Sequence, residues 1–134
     1  MEYLKMWCDN LLSSPDLAWK HSLTARGECH RQVSPRIWYA AVEITISPAA
    51  GFEVEEKLTS PLTTYQDGSR WRDQIIFGVL DVMLTRLVAP IRNFKLTISN
   101  IDFNETESNP MAFRLAARTA ASKILDQHDS ARIK

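Results

Sequence analysis

Residues 93–125 read NFKLTISNIDF, then NETESNP, then MAFRLAARTAASKIL. Phe94, Leu96 and Ile98 alternate with Lys95, Thr97 and Ser99, the period of two that belongs to a half-buried strand. Ser108 or Asn109 can cap the backbone donors of a following helix, and Pro110 suits its first position, where a missing N–H costs nothing. Ala112, Leu115, Ala116, Thr119 and Ala120 then recur at helical spacing, with side chains small enough to let a helix lie close to a sheet. A strand, an acidic turn and an Ala-rich packing helix therefore end the chain, and this unit carries no visible catalytic machinery.

Working outward, Ala89-Pro90 closes an earlier helix, because proline cannot continue the hydrogen-bond ladder. That helix is expected over Trp71–Leu87, with Ile75, Ile76, Val79, Leu80, Met83 and Leu87 at helical spacing. Before it, Thr63 to Arg70 is polar and reads as loop, and Phe52-Glu53-Val54-Glu55 as a short strand. Ile37 to Ser47 is the clearest central strand, with Trp38, Ala40, Val42, Ile44 and Ile46 on one face. Ser34-Pro35-Arg36 is a compact turn that joins it to an earlier alternation, Leu23, Ala25, Gly27 and Cys29 against Thr24, Arg26, Glu28 and His30. Leu4, Trp7, Cys8 and Leu11 fall at i, i+3, i+4 and i+7, a short amphipathic helix ended by Ser13-Ser14-Pro15. The expected order is short helix, three antiparallel strands, helix, strand, helix. That is an α+β fold with two helices packed on one face of a four-stranded sheet. The whole of residues 1–134 is expected to form a single domain: an N-terminal helical extension over 1–14, a core over 15–125, and a polar tail over 126–134 that should fray.

Sixteen Lys and Arg balance sixteen Asp and Glu, with a pI near 6.8. No global field recruits nucleic acid or an anionic membrane, and any such binding must rest on a local patch. Cys8 and Cys29 are too few and too far apart for a disulfide framework or a CxxC site, which suits a reducing compartment. Met1 to Leu12 carries Glu2, Lys5 and Asp9 among its apolar residues, so it resembles neither a signal peptide nor a membrane span. A soluble cytoplasmic protein is the expectation.

The run GFEVEEKL at Gly51, a helix at WRDQIIFGVLDVML, then NFKLTISNIDF and SNPMAFRLAARTAASKIL resembles domain IV of translation elongation factor G and the related ribosomal protection proteins. Gly51, Phe52 and Glu53 match that family's first element, and Met111, Ala112, Phe113, Ala116 and Ala117 its last; ECHRQ at Glu28–Gln32 resembles its strand ending in Arg-Gln. The resemblance covers about Pro15 to Leu125. It implies the ribosomal protein S5 domain 2-like fold and a free-standing, divergent member, with ribosome or RNA as partner. It also implies contacts made by two tip loops, the Arg31–Trp38 turn and the Asp102–Asn109 turn. Here the family's Gly-rich first loop is replaced by Val33-Ser34-Pro35-Arg36, and its second loop by Phe103-Asn104-Glu105-Thr106-Glu107.

Arg26, His30, Arg31 and Arg36, with Lys20 and His21 nearby, make the hairpin locally basic, and Trp38 and Tyr39 lie close enough to offer stacking. These four are the candidate nucleic-acid contacts, and Asn104, Glu105 and Thr106 the candidate partner contacts of the second tip loop. The alternative is a solvated hairpin whose aromatics pack in the core. Asp102, Glu105 and Glu107 repel phosphate, or else favour the N-terminus of the following helix through its dipole. Arg114, Arg118 and Lys123 form either a basic stripe or a plain solvated face. Leu4, Trp7, Leu11 and Trp19 are candidates for a protein interface, with another protein or a second copy; the alternative is that they fold back onto their own sheet.

No phosphate loop GxxxxGK[ST] exists, so no nucleotide is expected. His21, His30 and His128 lack close ligand spacing, and no GxSxG elbow is present. The sequence therefore predicts no catalytic residues, no metal, no cofactor and no membrane contact. A binding module without chemistry of its own remains, either ribosome- or RNA-associated or a protein-interaction module.

Overall fold

The computed structural model describes residues 19–33, 36–58, 62, 68–86, 91–103 and 108–133, with side chains at all of these except 32–33, 36–37 and 128–133. Four strands and two helices follow one another: β1 Leu23–Val33, β2 Arg36–Pro48, β3 Glu53–Glu56, α1 Gly68–Met83, β4 Phe94–Phe103 and α2 Pro110–Ile133. The architecture is α+β, as expected. The expected helix at residues 4–11 lies outside the described residues.

The sheet order is β1-β2-β4-β3. β1 pairs antiparallel with β2 and β2 antiparallel with β4, but β3 pairs parallel with β4. This corrects the expectation of three consecutive antiparallel strands. β4 inserts between β2 and β3, and a parallel pair requires a crossover of the length that α1 supplies. The burial of β4 explains its central position: Phe94, Leu96 and Ile98 are fully buried and Thr97 is nearly so. A register shift at Glu43/Ile44 leaves Ser99 as the extra residue on β4, and its hydroxyl donates to the Glu43 carbonyl at 3.1 Å.

The inner face of β2 holds Ala40, Val42, Ile44 and Ile46, all fully buried, with Trp38 half-buried beside them. α2 lies across β1 and β2 and packs along α1. Its buried residues include Ala112, Ala116 and Ala120, and also Phe113, Ala117, Ala121, Ile124 and Leu125. Leu115 is only half-buried and Thr119 is exposed, so the buried stripe is rotated slightly from the expected one. One row of alanines faces the sheet, and the row beside it, Phe113 and Ala117, faces α1. A Cβ added to Gly27 of β1 would stand 2.1 Å from the Ala116 carbonyl oxygen, and one added to Gly78 of α1 would stand 2.4 Å from that of Arg114. Both neighbours of α2 thus meet its backbone through a missing side chain.

Both helix boundaries differ from expectation. α1 starts three residues early, at Gly68, and yields at Met83 to a turn in which Arg86 N–H bonds the Val82 carbonyl at 3.0 Å and Ile91 N–H that of Met83 at 3.0 Å. α2 does not fray after Leu125 but continues to Ile133. No glycine or proline follows Leu125 to stop it, and its continuation has partners: Asp126 pairs with Arg86, and Gln127 donates to the Thr24 carbonyl at 3.5 Å.

Candidate functional site

The expected tip is the end of the sheet where the β1–β2 hairpin closes and β4 leads into α2. Val33 pairs with Arg36, and Ala40 pairs with Phe103, so β4 ends toward the hairpin end of the sheet, four residues along β2 from Arg36. Asn109 caps α2, its side-chain oxygen accepting from Ala112 N–H at 2.9 Å. Ser108 does something else: its hydroxyl donates to the Tyr39 carbonyl at 2.7 Å. That bond ties the start of α2 to β2 beside the hairpin. The candidate residues Asn104, Glu105 and Thr106 lie outside the described residues, as do Leu4, Trp7 and Leu11.

The open face of the sheet, opposite the helices, carries a polar cluster along this end. Arg26 Nε bonds Glu28 Oε1 at 3.1 Å, and Arg26 Nη2 lies 3.9 Å from Asp102 Oδ2. The Tyr39 hydroxyl donates to the same Asp102 oxygen at 2.7 Å. Its pKa is raised, first by that hydrogen bond and then by burial, so it stays protonated and remains a donor. The Arg26 pKa is also raised, chiefly by the bond to Glu28. His30 stands edge-on to Tyr39 with ring centroids 6.0 Å apart. At the centre Ala41 is fully buried yet lies outside the main core.

These contacts sort the candidate nucleic-acid residues. Arg26 is bonded to Glu28 and stands near Asp102, so its charge is partly compensated within the sheet. His30 and Arg31 are exposed. Arg31 sits near enough to Cys29 to oppose the rise that burial imposes on that thiol's pKa. Arg36 opens β2 at the tip. The structure therefore places His30, Arg31 and Arg36 in the strand residues near the hairpin end, His30 and Arg31 on opposite faces of the sheet, and Arg26 farther along β1 beside Glu28 and Asp102.

Trp19 corrects one candidate interface contact. It is 4% exposed, and its indole N–H donates to the Ile46 carbonyl at 3.1 Å. It is a core residue that anchors the chain just before β1, because its large apolar ring is better buried with its donor satisfied than exposed. Arg114 and Arg118 do not form a free basic stripe. Asp81 accepts from Arg114 through both oxygens, at 2.8 and 3.0 Å, and from Arg118 at 2.8 Å. The Arg114 hydrogen bond is the largest cause of the lowered Asp81 pKa. Sequence reading missed this network because Asp81 and its partners are far apart in the chain. Among the described residues no group of three His, Cys, Asp or Glu could hold a metal ion, and no helix is long and apolar enough to cross a membrane.

The arrangement of these elements matches known structures. A solved structure from Thermus thermophilus superposes with a TM-score of 0.70 at 20% sequence identity, covering 82% of this chain and 16% of that one. Elongation factor G of Anaplasma marginale strain Florida is 28% identical over 125 residues, covering 87% of this chain and 18% of that protein, and the St. Maries strain protein gives the same values. The chain has an elongation factor G domain IV-like fold. It spans about a fifth of the length of these curated relatives. No family model matches the chain.

Proposed function

We propose that this chain is a translation-related, non-catalytic binding module that associates with the ribosome in the cytoplasm through the tip of its domain IV-like fold. The observation that carries the reading is the similarity to elongation factor G over 87% of the chain, combined with a hairpin end and a β4 end at the same end of the sheet. The chemistry of the tip fits an RNA partner only in part. His30, Arg31 and Arg36 supply positive or protonatable groups, and Asn104 and Thr106 supply polar ones. Glu105 adds a carboxylate that turns phosphate away. Arg26 serves the fold more than the partner, because Glu28 and Asp102 hold it.

Co-sedimentation of the purified chain with ribosomes and separated subunits, at low and at moderate salt, tests this. Saturable binding that weakens as salt rises is expected, since phosphate contacts release counterions. Arg31→Glu and Arg36→Glu should each weaken it, and Arg26→Gln should leave it nearly unchanged. Absence of binding at low salt overturns the reading.

A further inference from the structure

β1 is an edge strand with two unlike halves. In an antiparallel pair the N–H and C=O of one residue point the same way, toward the partner strand or off the edge, alternating along the strand. The carbonyls of Thr24 and Arg26 point off the edge, because Gln127 Nε2 of α2 donates to the first at 3.5 Å and Lys123 Nζ to the second at 2.8 Å. Residue 43, opposite Arg26, agrees: its carbonyl faces β4, where Ser99 bonds it at 3.1 Å. By the same alternation the backbone groups of Glu28, His30 and Gln32 point off the edge, and no hydrogen bond among the described residues caps them. Glu28 and His30 are exposed. Among the described residues, α2 therefore seals the first half of the edge and nothing caps the second half, a row of donors and acceptors of the kind that templates another strand.

The geometry points to a second copy of this chain as the occupant, with β1 of each copy pairing antiparallel through residues 27–33 about a twofold axis at His30. The open stretch is bounded by the sealed Arg26 on one side and the turn at residue 34 on the other, and His30 is its midpoint. Pairing about that point uses the whole stretch. The carbonyls held by Lys123 and Gln127 then fall beyond the end of the other copy's strand.

Charge selects the same register. Pairing about His30 places Glu28 opposite Gln32 of the other copy, His30 opposite His30, and Cys29 opposite Arg31, so no carboxylate faces a carboxylate. Pairing about Glu28 would oppose two like charges and run into the sealed carbonyls, and pairing about Gln32 would run past the turn. Glu28 is also bonded to Arg26 of its own strand at 3.1 Å, which compensates its charge before the strands meet. The result is one continuous sheet across two copies. The pairing is made by backbone groups of β1, but His30 and Arg31, which belong to the proposed ribosome-contacting tip, lie within it, so the two associations share these residues.

Sedimentation velocity of the full chain at rising concentration, with crosslinking, tests the inference. A concentration-dependent dimer is expected. In a chain carrying Cys8→Ser, His30→Cys should form an intermolecular disulfide under mild oxidation. A directly opposed, hydrogen-bonded pair has Cα atoms about 5.5 Å apart, within disulfide reach. Thr24→Cys, on the sealed half, should not crosslink. His30→Pro removes an edge donor that β2 does not use, and should weaken the dimer roughly tenfold or more because the loss occurs twice, while His30→Ala preserves it. Circular dichroism checks that His30→Pro is folded; if it is not, the cysteine pair decides. A monomer at every concentration overturns the inference. So does crosslinking at Thr24→Cys equal to that at His30→Cys, or a dimer that a folded His30→Pro leaves unweakened.

Discussion

β1 and α2 touch backbone to backbone at Gly27 and Ala116, where a Cβ on the glycine would stand 2.1 Å from the carbonyl oxygen and, farther along, 2.5 Å from the Ala120 nitrogen. Neither atom belongs to a side chain that can swing aside. Gly27→Ala should force the helix off the sheet and destabilise the fold by about 3 kcal/mol, the upper end for overpacking. A urea unfolding midpoint that hardly moves would show that the helix rides more loosely on the sheet than this contact implies.

Asp81 gives the acid limb of stability. Its carboxyl is held below the ordinary carboxylate pKa, first by Arg114 and further by Arg118. A depressed folded-state pKa contributes stability that is complete above the unfolded value of about 3.9 and is lost as pH falls through the folded value. Asp81→Asn should therefore lower stability at neutral pH, by about 1 kcal/mol for this partly exposed site, and flatten the decline below pH ~4. Equal slopes in variant and parent would show that other carboxylates carry that limb.

The cap of α2 is separable from the tie beside it. Asn109→Ala removes the oxygen that accepts from Ala112 N–H at 2.9 Å and should cost about 1 kcal/mol of stability, with Asn109→Asp nearly neutral. Thermal unfolding of the two variants distinguishes a capping role from mere proximity.

Trp19 anchors the chain just before β1. Trp19→Phe keeps most of the ring but loses the 3.1 Å bond to the Ile46 carbonyl, and should cost about 1 kcal/mol. Trp19→Ala should cost about 3–5 kcal/mol as the core is emptied there. Because the chain holds four tryptophans, the emission of Trp19 is taken as the difference between the parent and folded Trp19→Phe, and a red-shifted difference would contradict its burial.

Local periodicity made the strands and the α2 cap legible. Alternation located β2 and β4, and Asn109-Pro110 marked the start of α2, because those signals lie within a few residues of one another. Three features were not legible. The parallel pairing of β3 depends on β4 displacing it from β2, a competition between strands that no single segment records. The continuation of α2 past Leu125 depends on Arg86 and on the Thr24 carbonyl, both distant in the chain. At the tip, the basic residues read as one patch, but Arg26 is held first by Glu28 of its own strand and then by Asp102, which comes near only because β4 lies next to β2. Sequence spacing located these charges without showing which of them cancel.

Ser108 and Tyr39 carry one more consequence. The 2.7 Å bond between them fastens the start of α2 to β2 three residues in from Arg36, so the strand that follows one connection and the helix that follows the other share a common frame. Grafting a relative's loop into residues 104–107 alone would import a shape fitted to a different hairpin. Exchange of function between such proteins should succeed best when both loops travel together with Ser108, whose hydroxyl makes the bond; position 39 contributes only its backbone carbonyl.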